Sequence, residues 1–86
     1  MTMNKTAAKA FAEKYGMTIL RHPITDEAWA VSVESDKLIP ELDAYADAPA
    51  DNWMGDNSAI VERTYAGTYT YKIVCPTRWF DLWGWR

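Results

Sequence analysis

A thiol and an imidazole are the side chains best suited to act as nucleophile and base, and the chain has one of each, Cys75 and His22. Each stands beside a proline, Pro76 and Pro23, near the expected end of a strand. Nothing in their spacing brings them together, and no third group is placed to activate the thiol. They read as a buried thiol and a turn histidine, and no catalytic residue is assigned. One histidine and one cysteine also nearly exclude a zinc site. Asp43, Asp47, Asp51 and Asp56 form a sparse set of oxygen ligands. A calcium loop needs acids at alternate positions around a glycine, which this spacing does not give, so the set reads as a solvated acidic face. Gly16, Gly55, Gly67 and Gly84 are scattered single punctuators, with no phosphate loop or dinucleotide fingerprint. No metal or cofactor is expected.

Nucleic acid is the next chemistry to weigh. Arg63, Lys72 and Arg78 near Tyr69, Tyr71 and Trp79 resemble a stacking surface. Phosphate contacts dominate such affinity, and the net charge of −3 argues against it. The plainer reading is a cation–π pair, Arg63 over Tyr69 or Tyr71. The charge is unevenly spread: residues 26–56 hold nine acids against the single base Lys37, between flanks that are mildly basic. Such a segment repels nucleic acid and anionic membrane and attracts basic surfaces.

Two readings of that segment stand. The commoner one is a solubilising surface. The functional one is a partner-facing surface, with Asp43, Asp47, Asp51 and Asp56 presenting spaced carboxylates and Trp53 and Met54 supplying an apolar anchor among them. Trp53 tucked back onto the core is an equal alternative.

The elements that position these residues follow from periodicity and punctuation. Residues 4–15 read as a helix capped by Asn4 or Thr6, with Ala7, Ala8, Phe11, Ala12 and Tyr15 on one stripe and Gly16 at its end. Met17 to Leu20 reads as a first strand, closed by Arg21-His22-Pro23. Trp29, Val31 and Val33 alternate as the buried face of a second strand. Ser35-Asp36 is placed to cap a helix over 37–46, with Leu38, Leu42 and Tyr45 inward, Glu41 and Asp43 outward, and Pro40 tolerated in the first turn. Residues 47–58 read as a loop.

Residues 58–75 read as a hairpin around Ala66-Gly67. A two-residue loop would mix its faces. A three-residue loop with Gly67 left-handed gathers Val61, Arg63, Tyr69, Tyr71, Ile73 and Cys75 on one face, and is preferred. In the tail, Trp79, Leu82 and Trp83 share a helical face, with Gly84 placed to end the helix. That helix is too short to stand alone and must dock on the rest or on a partner.

The expected whole is a single α+β domain over 1–86: an N-terminal helix packed on a three- to four-stranded antiparallel sheet, with a second short helix. Phe11, Leu20, Trp29, Val31, Leu42, Tyr71 and Ile73 are its expected core. With one cysteine, no apolar run of signal-peptide length and none of membrane-spanning length, a cytoplasmic location is expected. The general profile is very small, acidic, aromatic-rich and free of catalytic motifs. It resembles in type the accessory proteins of bacteriophages and mobile elements, including inhibitors of host defence complexes. That type implies a non-enzymatic module occupying a basic protein surface, one that itself binds nucleic acid. The alternative is a structural subunit docking through its Trp-rich C-terminus, Trp79, Trp83 and Trp85.

Overall fold

The structure, a computed structural model, describes residues 3–46 and 58–83, with the backbone alone for 81–83. The elements are α1 (Lys5–Lys14), β1 (Thr18–Arg21), β2 (Ala28–Ser35), α2 (Pro40–Ala46), β3 (Ile60–Tyr65), β4 (Tyr69–Val74) and α3 (Arg78–Trp83). The strands form one antiparallel sheet in the order β1-β2-β4-β3, and the fold is α+β, as expected.

Local chemistry sets the helix ends. The Asn4 carboxamide accepts from the Ala7 N–H at 2.8 Å, which satisfies one of the open donors of α1. Gly16 closes the same helix in the left-handed region, where a side chain is costly. α2 starts at Pro40, three residues later than the sequence suggests. Ser35 does not cap it. Its hydroxyl is engaged with Lys37, accepting from the N–H and donating to the carbonyl, which makes a local turn. Proline then takes the first helical position, where its missing N–H costs nothing. The late start leaves Leu38 outside the helix and 44% exposed, where inward packing was expected.

One face of the sheet is covered. Val31, Val61, Tyr71, Ile73 and Cys75 lie buried there in one cluster with Ala8 and Ala12 of α1, Leu42 of α2, and Trp79 and Phe80 of α3. Phe11 is only half-buried, its ring set between Tyr15 (6.3 Å) and Tyr45 (6.1 Å) at the edge of the helical layer. Met3 joins the core by pairing with Ala59 just before β3, their N–H and C=O groups exchanging bonds of 2.9 and 2.8 Å. Trp79 and Phe80 thus pack the start of α3 against this core, while the side chains of Leu82 and Trp83, and Trp85, lie outside the described residues.

The opposite face corrects two further expectations. Leu20 opposes Ala30 and Arg21 opposes Ala28, so Trp29 is an extra residue in β2. The bulge turns Trp29 out of the alternation with Val31 and Val33. Its ring lies 5.4 Å from the Lys72 ammonium, and Lys72 stands between inward-facing Tyr71 and Ile73 and so points to the other side. Leu20 belongs to that same side, in a row with Ala30, Val74 and Ile60 across all four strands. Leu20 and Trp29 are therefore half-buried rather than core.

The hairpin register is the expected one. Val61 opposes Ile73, Arg63 opposes Tyr71 and Tyr65 opposes Tyr69, with residues 66–68 as the loop and Gly67 at φ 84°.

Candidate protein-binding surface

The acidic segment separates into two kinds of carboxylate. Glu41 and Asp43 face the fold. Glu41, in the first turn of α2, accepts from the Lys14 ammonium at 2.6 Å and from the Tyr15 hydroxyl. Those two donors close α1, so Glu41 ties one helix to the other. The Lys14 hydrogen bond, with the Tyr15 bond behind it, holds the Glu41 carboxyl below its ordinary range. The same carboxylate raises the Lys14 ammonium and the Tyr15 phenol.

Asp43 was expected to point outward, but its side chain is only 16% exposed. It accepts from the Arg63 guanidinium and, at 3.4 Å, from the Tyr71 hydroxyl. That hydroxyl in turn accepts from the Ile39 N–H at 3.0 Å, just ahead of α2. Tyr71 is fully buried, and burial pushes its phenol up. One hydroxyl thus satisfies a backbone donor and one carboxylate anchors a cation, and together they fasten α2 to the sheet.

Asp26, Glu27, Glu34 and Asp36 are different. All four are exposed, and none forms an ion pair among the described residues. Asp26 and Glu27 stand in the connection from β1 to β2, at one end of the sheet. Glu34 and Asp36 stand at the other, beside the β3–β4 hairpin, because Ser35 opposes Tyr69. Of the residues expected to meet a partner, Asp43 is thus held inside the fold, while Asp47, Asp51, Trp53, Met54 and Asp56 lie outside the described residues.

The hairpin end also carries an aromatic feature that composition alone does not locate. The rings of Tyr71, Tyr69 and Tyr65 follow one another at 6.2 and 4.7 Å. They run from the fully buried Tyr71 through the half-buried Tyr69 to Tyr65, which is 64% exposed. Leu38 lies exposed in the stretch between Ser35 and α2. The signal was present in the preferred register, which places all three tyrosines on one face.

Three other constellations are not assembled. Lys72 lies on the opposite sheet face from Tyr69 and Tyr71, Arg63 is engaged by Asp43, and Trp79 is buried, so the stacking surface for nucleic acid does not form. Among the described residues no group of three or more His, Cys, Asp or Glu side chains could hold a metal ion. Cys75 is buried, its thiol facing the Ile73 carbonyl at 3.5 Å, and burial pushes it up to about 12. At neutral pH it is a protonated, packed group. His22 accepts at Nδ1 from the Ile24 and Thr25 N–H groups, as a turn residue does. Among the described residues no helix is long and apolar enough to cross a membrane. Compared with protein families, characterised proteins and solved structures, the chain matches none.

Proposed function

We propose that the chain is a small protein-binding module that acts by occupying a basic surface of another protein, in the manner of an inhibitor. The observation that supports this is the division among the acids. Glu41 and Asp43 serve the fold, while Asp26, Glu27, Glu34 and Asp36 are exposed with no ion pair among the described residues. An exposed carboxylate outside an ion pair adds little to stability, so stability does not account for these four. Their field favours a partner rich in lysine and arginine, as on proteins that grip nucleic acid, and host nucleic-acid-handling or defence complexes are the class this reading points to.

The test is capture on the immobilised protein from a bacterial lysate, at dilute and at half-molar salt. It is run beside a variant carrying Asp26→Asn, Glu27→Gln, Glu34→Gln and Asp36→Asn. The expected result is a basic protein held by the wild type, released by salt and not held by the variant. The same proteins on both surfaces, indifferent to salt, would overturn the reading.

A further inference from the structure

The connection from β1 to β2, residues 22–27, is exposed throughout. Water is free to satisfy the backbone of such a loop, yet this loop satisfies its own donors. The His22 N–H donates to the Glu27 carbonyl at 2.9 Å, and the Asp26 N–H to the His22 carbonyl at 2.8 Å. The Ile24 and Thr25 N–H groups both donate to His22 Nδ1, at 3.2 and 3.4 Å, and the Glu27 N–H donates to the Thr25 hydroxyl at 3.3 Å. Pro23 has no N–H, so every backbone donor from His22 to Glu27 is used within the loop. Asp26 sits at φ 61°, the one residue other than glycine in the left-handed region among the described residues. Its N–H is held by the His22 carbonyl and its carbonyl by the Arg21 guanidinium at 2.8 Å, which is how an unfavourable conformation persists. This frame displays Ile24, which at 86% is the most exposed large apolar side chain among the described residues. A single exposed aliphatic residue says little by itself. Here it stands in a tightly bonded turn, where polar residues and glycine are usual and no local rule asks for a β-branched one.

We infer that Ile24 is a preformed knob that enters an apolar socket on the partner protein, a reading that rests on the proposed function and gives it a place. The occupant follows from the side chain. Isoleucine has no donor, acceptor or charge, so only apolar surface gains from meeting it. A membrane is disfavoured, because one aliphatic group buries too little area and Asp26 and Glu27 in the same loop outnumber Arg21 and repel anionic headgroups. The internal bonds matter because ordering a loose loop on binding weakens the complex, whereas a loop already held in place loses little. His22 is the positioning residue of this frame: its ring nitrogen accepts two and three residues ahead, as the side-chain oxygen of Asn or Asp does in a turn.

The probe is the basic protein captured in the experiment above, purified and titrated over the immobilised wild type and four variants, with sedimentation and thermal melts of the free chains beside it. Ile24→Val removes one methyl group and is expected to weaken binding about fourfold, and Ile24→Ala at least about tenfold, with the melting temperature unchanged. His22→Ala leaves Ile24 in place but removes the acceptor that holds its N–H, and should weaken binding about two- to tenfold. His22→Asn puts an oxygen where Nδ1 stands and should restore it. If the captured protein binds in a salt-dependent way while Ile24→Ala binds as wild type does, the knob is wrong and docking by carboxylates stands. If Ile24→Ala weakens binding and His22→Ala does not, the loop is not preformed and the inference falls. If the free wild type sediments as a dimer that Ile24→Ala dissociates, the socket belongs to a second copy and the inference falls likewise. If no basic protein is captured, this inference and the proposed function fall together.

Discussion

Asp43→Asn keeps the shape of the side chain and removes the charge that faces Arg63. The side chains of the pair are 16% and 31% exposed, so it lies between two regimes. Exposed ion pairs contribute about 0.2–1 kcal/mol. Breaking a buried one costs about 3–5 kcal/mol, because the abandoned charge stays buried. A half-buried pair in which the guanidinium can turn toward water should lose about 1.5 kcal/mol. In a domain of this size that lowers the melting temperature by roughly 6–12 °C. Asp36→Asn is the control: the side chain is exposed, without an ion pair among the described residues, so its effect should stay within about 0.5 kcal/mol. Urea unfolding of both variants and of Arg63→Gln, alone and combined with Asp43→Asn, measures the coupling directly, and about 1 kcal/mol is expected. If Asp43→Asn and Asp36→Asn cost the same, or the coupling vanishes, Asp43 does not fasten α2 and the division of the acids fails.

Other outcomes follow from the same contacts. Glu41 is held below its ordinary value of 4.5, so its contribution is present above that value and is lost as pH falls through the depressed one. Lys14 and Tyr15 are raised above 10.5 and 10.0, so theirs is present below those values and is lost as pH rises through the raised ones. Thermal melts from pH 3 to 11 should therefore show a difference between wild type and Glu41→Gln that is largest in the middle and shrinks at both ends; a constant difference would contradict it. Cys75 should resist an aqueous thiol reagent at pH 8 and react once urea unfolds the chain; prompt labelling of the native protein would place it outside the core. Leu42→Ala should cost about 2–5 kcal/mol in denaturant melts, since Leu42 is fully buried where α2 meets the sheet. A loss under about 1 kcal/mol would mean that α2 is not docked.

Much of the fold is legible where one local rule governs a residue. Asn4 and Gly16 bound α1 because a cap and a left-handed terminus depend on neighbours a few positions away. Gly67 sets the hairpin register for the same reason, and the register carries Val61, Tyr71 and Ile73 inward. Legibility ends where distant residues compete. The bulge at Trp29 arises from pairing with β1, and alternation within β2 cannot reveal it. Ser35 could cap a helix or close a turn, and the Tyr71 hydroxyl, 32 residues past Ile39, meets the chain only after that turn is made. Charge alone marks the acidic segment but not which acids it can spare. Asp43 and Asp36 look alike in sequence, and only the arrival of Arg63 from β3 tells them apart.

The central claim is that the exposed carboxylates steer this chain onto a basic partner. Its most direct measurement is the association rate constant with the protein captured on the immobilised chain, from dilute to half-molar salt. The wild type and the variant neutralised at Asp26, Glu27, Glu34 and Asp36 are compared. Steered association is fast at low salt, and an unsteered pair associates at about 10⁵–10⁶ M⁻¹s⁻¹. The wild-type rate should fall by at least about tenfold across that range, and the variant should start slow and stay flat. A wild-type rate that ignores salt and equals that of the variant would contradict the account.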